Sequence, residues 1–421
     1  MLVVLIVLIV MSYFFYRKTT LFSAAVVLFF PYLSSGIPGV KLVYIVSLMQ
    51  IFFFYIKGYH LRKTNIPYSL WVIVPCVCAM LGYIISDRLG YSKNFPTIVV
   101  NCFCYFVYPY IVFQLVETKA HLQFFLKCIF TFFIVVCAYA LVELSLGYNI
   151  YNQLVKQFHL LDPGAILGTE DVRQRFGFLR CNSIMPYSSA LGMTCACMFF
   201  FFMYIRTIGY NVMQKKWDYF LIILLPFCVL LSGTRSQFLV FATMILGLFF
   251  WKRFNQTLIF KKLLIVAGLL LIVATPFFLM IVDTIVNSND SEAGGSSLNL
   301  RMRQLEICLS AIKYNPWFGN GRNFIWEEVR PENPLLFGAE SVWFQLMVDY
   351  GFVGCLTYLF VVLGTSYWLY KTDKVLAIFP IGFLVGKTVS VVIGIELSFM
   401  LILSGIMVKA CLLLKEEKEK V

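Results

Sequence analysis

The side chains best suited to chemistry in this sequence are arginines gathered in two long polar segments. These segments contain Arg173, Arg175, Arg180, Arg301, Arg303, Arg322 and Arg330. Arg235, in the short turn LSGTRSQF, is an eighth arginine of this set. The other polar breaks between apolar stretches carry mostly lysine. A guanidinium is a planar group of donors that can bind a phosphate through two parallel hydrogen bonds. A lysine ammonium is a point charge without this planar geometry. The set therefore predicts an anionic ligand, although any single member could instead meet a lipid headgroup.

A carboxylate and a hydroxyl stand at the start of a long apolar stretch, GAESVWFQLMVDYGFVGCL. Glu340 could accept a proton from a substrate hydroxyl, because a carboxylate at the mouth of a membrane is poorly solvated and holds a proton more readily. Alternatively, Glu340 and Ser341 cap the helix that follows, which stabilises it by about 0.3–1 kcal/mol. Both roles can hold together. Gly351 and Gly354 are expected to permit close helix packing rather than to touch a substrate.

These groups must be positioned by helices that cross a membrane. Of 421 residues, 61% are hydrophobic and 13% are charged, and a helix needs about 20 apolar residues to cross the hydrocarbon core. Windows of that length predict about thirteen spans, at residues 2–16, 21–35, 40–56, 68–86, 96–116, 123–147, 186–208, 218–233, 236–251, 263–285, 341–370, 375–392 and 396–414. The 341–370 window could be one tilted helix or a helix with a broken end. We therefore expect an all-α, polytopic integral membrane protein with about 12–13 transmembrane helices, folded as a single membrane domain over residues 1–421.

The basic residues in alternate breaks predict the orientation of the chain. By the positive-inside rule, the breaks near residues 17–18, 57–63, 215–216, 252–262 and 371–374 face the cytoplasm, as does the C-terminal tail. Two long loops, residues 148–185 and 286–340, then lie outside and contain the seven arginines. Because no basic region precedes the first apolar stretch, we expect no cleavable signal peptide.

The second outer loop is predicted to contain an amphipathic helix. Its apolar residues recur at helical spacing, at Leu298, Met302, Leu305, Leu309 and Ile312. Arg301 borders this apolar stripe and can turn inward, whereas Arg303 points away from it. Arg301 is therefore the better candidate for a site residue.

The cysteines predict no metal site. Most of the thirteen lie in apolar spans as CVC, CFC and CAC, a spacing that places two thiols on different faces of a helix. We interpret them as small core residues. Cys181 and Cys308 lie in the outer loops and could form a disulfide. The histidines are scattered and no nucleotide-binding loop is found, so we expect no metal, no cofactor and no nucleic-acid partner.

Three ionisable residues fall inside or at the ends of predicted spans: Glu143, Lys387 and Glu396. A charge at the centre of a membrane costs on the order of 3 kcal/mol, so such residues usually have a purpose. Lys387 and Glu396 could pair across the last two helices. We favour this structural pair over a role in a site.

Three stretches in the C-terminal half resemble the O-antigen polymerase and ligase superfamily, which comprises Wzy-type polymerases and WaaL-type ligases. They are LSGTRSQFL, Arg301 followed by YNPWFGNG, and Glu340-Ser341 followed after nine residues by Gly351-x-x-Gly354. The resemblance covers about residues 231–360. Ligases of this group carry a histidine where this chain has Glu340, which favours a polymerase. The paired R-x10-G motifs of some polymerases are absent from the outer loops.

The resemblance implies a metal-independent, lipid-dependent glycosyltransferase with a GT-C-like helical fold in the bacterial inner membrane. Such an enzyme joins undecaprenyl-pyrophosphate-linked oligosaccharides, one as donor and one as acceptor, on the periplasmic side, and a membrane protein that regulates chain length is a further expected partner. Positioned arginines would stabilise the growing negative charge of the pyrophosphate leaving group. We assign Glu340, Arg301 and Arg235 to catalysis. The residues expected to bind pyrophosphate or substrate are Arg175, Arg180, Arg303, Arg322 and Ser341.

Two other functions remain open. The first is an O-antigen ligase, which would transfer the glycan to lipid A-core. The second is a flippase for lipid-linked oligosaccharides. Alternating access in a transporter predicts internal repeats and polar residues along a central path, whereas the polar residues of this chain gather at its outer face.

Overall fold

The computed structural model describes most of the chain. The described residues are 2–29, 41–61, 69–88, 95–157, 174–175, 178–185, 187–210, 212–251, 298–333, 336, 341–390 and 397–419. Helices account for nearly all regular structure in these ranges. Those of eight residues or more are α1 (Leu2–Phe29), α2 (Leu42–Ile56), α3 (Val74–Arg88), α4 (Phe95–Cys102), α5 (Tyr108–Leu115), α6 (Lys119–Leu146), α7 (Ile150–Gln157), α8 (Ser188–Thr207), α9 (Lys215–Leu231), α10 (Arg235–Phe249), α11 (Leu298–Ala311), α12 (Val342–Thr372), α13 (Ile378–Val389) and α14 (Leu397–Glu419).

Short elements complete the described structure. π-helical turns occupy Ser69–Ile73, Phe103–Val107 and Ile325–Val329, and brief helical turns occupy Arg330–Glu332 and Lys374–Ala377. The strands β1 (Gln174–Arg175) and β2 (Phe178–Leu179) form a small antiparallel hairpin in which Gln174 pairs with Leu179. This hairpin leads directly into Arg180.

Five helical stretches are long and apolar enough to cross a membrane. They are Phe95–Leu115, Lys119–Leu146, Ser188–Thr207, Val342–Thr372 and Leu397–Glu416. Three shorter apolar helices, Leu42–Ile56, Leu70–Ile84 and Ser236–Phe249, coincide with further predicted spans. The predicted all-α, polytopic membrane fold is therefore confirmed. The span predicted at 263–285 lies outside the described residues.

The N-terminal helix α1 is kinked close to the break predicted between the first two spans. We expected spans at 2–16 and 21–35, and α1 consists of two helical pieces that meet at a kink at Phe15 and end at Phe29. Its helical geometry is interrupted at Phe15, where φ is −125° and ψ is 45°. The charge of Arg17 is tolerated within α1 because its guanidinium forms a salt bridge to Glu117 (2.8 Å). The same guanidinium lies 5.3 Å from the ring centroid of Tyr59.

The central helix of the core is α8. Of its apolar window, 94% is buried, as expected of a helix that is apolar on every face. Successive phenylalanines contact different neighbours. The ring centroid of Phe199 lies 5.1 Å from that of Phe241 in α10, and the centroid of Phe200 lies 5.8 Å from that of Phe379 in α13. The ring of Phe201 packs against Phe130 of α6. This packing gathers α6, α10 and α13 around α8.

The long helix α12 is broken near its start. Gly351 has φ 65° and ψ −164°, values outside the helical range. The 31 residues of α12 would extend roughly 46 Å at 1.5 Å per residue, more than the ~30 Å of a hydrocarbon core. The stretch from Phe352 to Thr372 is by itself long enough to cross the hydrocarbon core. Of the two alternatives predicted for this window, the structure has the helix with a broken end.

The amphipathic helix predicted in the second loop is present as α11. Gln304, Cys308 and Ile312 are buried, while Met302 and Leu309 are 52% and 45% exposed. The face that packs against the rest of the protein therefore differs in part from the apolar stripe. The buried face is chosen by contact with α12 rather than by hydropathy alone, because Cys308 and Ile312 pack in one cluster with Val348.

Candidate functional site

Arg180 lies against the turn that precedes α10. Its Nε donates to the carbonyl oxygen of Ser232 (3.4 Å), and the backbone N–H of Cys181 donates to the carbonyl oxygen of Leu231 (2.9 Å). Gly233 has φ 59°, and a Cβ there would stand 2.9 Å from Cγ of Arg180. The turn thus admits the Arg180 side chain only because residue 233 is glycine.

Burial lowers the pKa of Arg180 from its usual value. The reason is that a guanidinium shielded from water loses hydration of its positive charge. Arginine nevertheless stays protonated in proteins. An anion beside Arg180 would therefore be bound more strongly than at a fully solvated arginine.

Arg235 is the first residue of α10, so it follows the same turn. The hydroxyls of Ser232 and Thr234 are hydrogen-bonded to each other (2.9 Å), and the side chain of Thr234 does not cap the helix. The N-terminus of a helix attracts anions through its N–H groups and its dipole. The side chain of Arg235 and that of Arg175 in β1 lie outside the described part of the structure. What is described places the backbone of Arg235 next to the turn that holds Arg180.

The polar character of this turn was missed by the sequence analysis. Gln237 is fully buried in the first turn of α10, and its Oε1 has no hydrogen-bond partner among the described residues. The signal for it was present in LSGTRSQFL, since a glutamine inside an apolar span is costly unless it is paired. Ser232, Thr234 and Gln237 together make this turn and the start of α10 polar, and Ser232 contacts Arg180.

The loop after α11 is fastened to α12 at the helix break. Backbone N–H groups of Asn320 and Gly321 donate to the carbonyl oxygens of Val348 and Asp349 (3.0 Å each). In return, the N–H groups of Phe352 and Val353 donate to the carbonyl oxygens of Pro316 and Trp317 (2.9 Å each). We call this set of four bonds, between residues 316–321 and 348–353, the loop clasp.

Glycine is required on both sides of the loop clasp. A Cβ on Gly351 would lie 2.5 Å from the backbone of Trp317 and Phe318, and a Cβ on Gly319 would lie 2.5 Å from the backbone nitrogen of Tyr350. The close approach expected at Gly351 is therefore made to this loop and not to another helix. Gly354 instead lies against the side chain of Tyr350.

Arg322 follows the loop clasp and points toward the N-terminal helices. Its guanidinium lies within interaction range of Asp349, Tyr350 and Tyr44. Its Nη1 is buried and has no hydrogen-bond partner in the described part of the chain. Arg322 thus interacts with residues of α2, α4 and α12, and these partners differ from those of Arg180.

The remaining candidates occupy varied positions. Arg301 is half-buried on α11 and Arg303 is exposed, in line with their predicted orientations. Ser341 is the N-cap of α12, where its Oγ accepts from the N–H of Trp343 (3.4 Å), so the capping alternative holds for this residue. Glu340 lies outside the described residues.

Contacts join the second loop to the beginning of α8. Burial raises the pKa of Tyr187, and Arg330 lies close enough to oppose that shift. Tyr187 is the N-cap of α8 and follows the segment that contains Arg180. At the start of α12, Nε1 of Trp343 donates to Oγ1 of Thr388 in α13 (2.9 Å). The starts of α8, α10 and α12 and the end of α13 therefore lie toward the same end of the helix bundle.

Three cysteines could hold a metal ion. The sulfur atoms of Cys137, Cys195 and Cys228 all lie within 4.8 Å of one another, and all three residues are buried. They come from α6, α8 and α9, so no spacing within one segment could have indicated the group. The proposed disulfide is wrong, because Cys181 and Cys308 are both free thiols.

Lys387 is buried near the end of α13 and lies within electrostatic range of Cys197. Glu396, its predicted partner, lies outside the described residues. The pairing of these two side chains stays a prediction.

Residues 220–359 match a family model described as O-antigen ligase. This match begins in α9 and includes the turn before α10, the arginines of the second loop, the loop clasp and most of α12. It confirms the predicted resemblance to the O-antigen polymerase and ligase superfamily over nearly the same residues. None of the curated proteins compared with the chain matches it.

Proposed function

We propose that this chain, whose residues 220–359 match the O-antigen ligase family model, is a membrane glycosyltransferase of the polymerase type. It joins undecaprenyl-pyrophosphate-linked repeat units into O-antigen or a related surface polysaccharide. The observation that carries the proposal is the placement of Arg180 on the turn that begins α10 with Arg235. A half-buried guanidinium beside a helix N-terminus without a side-chain cap suits a pyrophosphate group.

The reaction follows from the proposed roles of the residues. A hydroxyl of the acceptor sugar attacks the anomeric carbon of the donor, and the bond from that carbon to the pyrophosphate oxygen breaks. Glu340 takes the hydroxyl proton, and undecaprenyl pyrophosphate leaves. Arg180, Arg235 and Arg301 stabilise the negative charge that develops on the leaving group.

The proposed setting is the inner membrane of a bacterium. The arginine-bearing loops face the periplasm and the C-terminus faces the cytoplasm. The basic residues of the alternate short breaks and of the C-terminal tail support this orientation through the positive-inside rule. In this orientation the arginines of the two loops run against the rule, which is consistent with a function for them there.

The ligase is the second candidate, and the description of the matched family favours it. Against it stands Glu340 at the position where ligases of the group carry histidine. A carboxylate can accept a proton from a sugar hydroxyl, but the substitution changes the charge and reach of the group. The two enzymes also leave different products when they are lost.

The glycan profile of a deletion strain distinguishes the candidates. For a polymerase, the strain still attaches single repeat units to its acceptor and lacks long chains. Loss of a ligase would leave no attached glycan, and loss of a flippase would leave the repeat units on the cytoplasmic side. Either of the last two profiles would refute the proposal.

Complementation of that strain tests the arginines. We expect Arg301→Ala to give no long chains at normal protein level, since removing one donor to a developing charge costs about 100-fold or more in rate. Lys313→Ala, which removes an exposed cation from the same loop, serves as the matched control and restores long chains. Full chain length with Arg301→Ala would show that its assigned role is wrong.

A further inference from the structure

The segment that follows Arg180 is held by a buried carboxylate. Oε2 of Glu143, in α6, accepts hydrogen bonds from the backbone N–H groups of Asn182 (3.0 Å) and Ser183 (2.6 Å). Glu143 is 1% exposed. A buried carboxylate is costly, and N–H donors offset that cost through charge-assisted hydrogen bonds.

Further bonds fix the same segment to α6 and to Asn149, the residue before α7. Ser183 has φ 56°, a conformation that is uncommon for a residue with a Cβ. Its carbonyl oxygen accepts from Nδ2 of Asn149 (2.7 Å), and its Oγ donates to the carbonyl oxygen of Val136 (2.6 Å). The backbone two and three residues after Arg180 is therefore held on one side by α6 and Asn149, while Arg180 itself reaches the turn before α10 on the other.

The second outer loop repeats this arrangement. Asp349 of α12 is fully buried and accepts from the N–H groups of Asn323 (3.0 Å) and Ile325 (3.1 Å). These residues follow Arg322 by one and three positions. In each of the two loops, a carboxylate from a helix thus accepts hydrogen bonds from backbone N–H groups within three residues after an arginine.

We infer that Glu143 is a positioning residue for Arg180 and acts by holding the chain that carries this guanidinium against the turn of α10. The inference rests on the proposed function, in which Arg180 binds the pyrophosphate of the donor. Glu143 touches no substrate. Its carboxylate fixes where Arg180 can be, and the loss of that carboxylate releases the loop rather than removing a charge from the site.

A double-mutant cycle tests the inference with full-length protein in lipid nanodiscs. The readouts are KM for the lipid-linked donor and the inhibition constant of inorganic pyrophosphate. We expect Glu143→Ala and Arg180→Ala each to raise both values about tenfold or more. Arg180→Ala removes the charge-assisted contact between the guanidinium and the pyrophosphate, and Glu143→Ala releases the loop that positions this guanidinium. The double variant should be no worse than Arg180→Ala alone, since coupled residues are not additive.

Two further variants separate positioning from general stability. Glu143→Gln keeps an acceptor oxygen and is expected to stay within a few-fold of wild type in both readouts. If Glu143→Ala does not fold, Glu143→Asp, whose carboxylate is one methylene shorter, takes its place in the cycle. Asp218→Asn breaks a different buried pair, with Arg206 (2.6 Å), and its effect should multiply with that of Arg180→Ala.

The outcomes distinguish the inference from the function on which it rests. If the effects of Glu143→Ala and Arg180→Ala multiply as those of Asp218→Asn do, Glu143 is merely structural and the inference is refuted. If Arg180→Ala leaves the pyrophosphate inhibition constant unchanged, the proposed role of Arg180 is wrong instead.

Discussion

At the scale of single residues, the environment of each charge decides what it can do. Arg180 is partly shielded from water and bonded through Nε to a carbonyl oxygen, which leaves the other nitrogens of its guanidinium for a ligand. Arg303 is exposed on α11, where solvent screens its charge. Arginine type alone could not rank these two residues. Burial and neighbours rank Arg180 first.

Substitutions of Glu340 and of Ser341 are expected to affect different properties of the protein. Glu340→Gln should lower the turnover rate about 100-fold or more, because a positioned base contributes at least that much. It should leave the thermal midpoint Tm nearly unchanged. Ser341→Ala removes a helix cap and should cost about 1 kcal/mol of stability. Rate assays and thermal unfolding of the purified variants measure both effects. A drop in Tm without a loss of rate in Glu340→Gln would show that Glu340 is only a cap.

At the scale of elements, the break in α12 serves to hold a loop. The glycine at the break lets residues 316–321 approach the helix backbone closely enough for four hydrogen bonds. A regular helix has its N–H and carbonyl groups engaged internally, so the break is what frees Phe352 and Val353 to donate outward. The loop that carries Arg322 is thereby tied to a membrane helix.

We expect Gly351→Ala to loosen this loop. Its φ of 65° and ψ of −164° are nearly exclusive to glycine, so alanine costs on the order of 1–3 kcal/mol in strain alone. The new Cβ would also press on the backbone of Trp317. Gly58→Ala is the matched control, because Gly58 has φ 72° with no atom within 4 Å of an added Cβ. Thermal unfolding should show a larger fall for Gly351→Ala. Equal falls would mean that the loop clasp adds nothing beyond backbone strain.

At the scale of the whole molecule, the packing of the helices brings the polar turns and loop ends together at one end of the bundle. The packing of α6, α10 and α13 around α8 puts the turn before α10 beside the end of the first loop. The Trp343–Thr388 hydrogen bond ties the start of α12 to the end of α13. A rigid apolar bundle thus presents its candidate site at one end, and the orientation of that end decides which compartment supplies the substrate.

Reporter fusions test the orientation. A periplasm-dependent enzyme such as alkaline phosphatase, fused after residue 333 in the second outer loop, should be active. The same reporter fused after the C-terminal residue should be inactive, because the basic tail is retained in the cytoplasm. Opposite activities would place the candidate site in the cytoplasm and remove the basis for a reaction with periplasmic substrates.

The sequence by itself determined the membrane class, the helical fold and the positions of most described helices. Those properties depend on local composition, since a helix that crosses lipid must be apolar over about 20 residues and must satisfy its own backbone. The short motifs around Arg235, Arg301 and Gly351 were likewise sufficient for the superfamily resemblance, which the family match confirmed.

Only the tertiary structure decided which side chains meet. Arg180 reaches Ser232 across 52 residues, and Glu143 reaches Asn182 across 39, so neither contact leaves a trace in local spacing. The buried face of α11, the loop clasp and the group of three cysteines arose in the same way. Each is set by how apolar helices pack side by side, and the hydropathy of a helix says that it will be buried without saying against what.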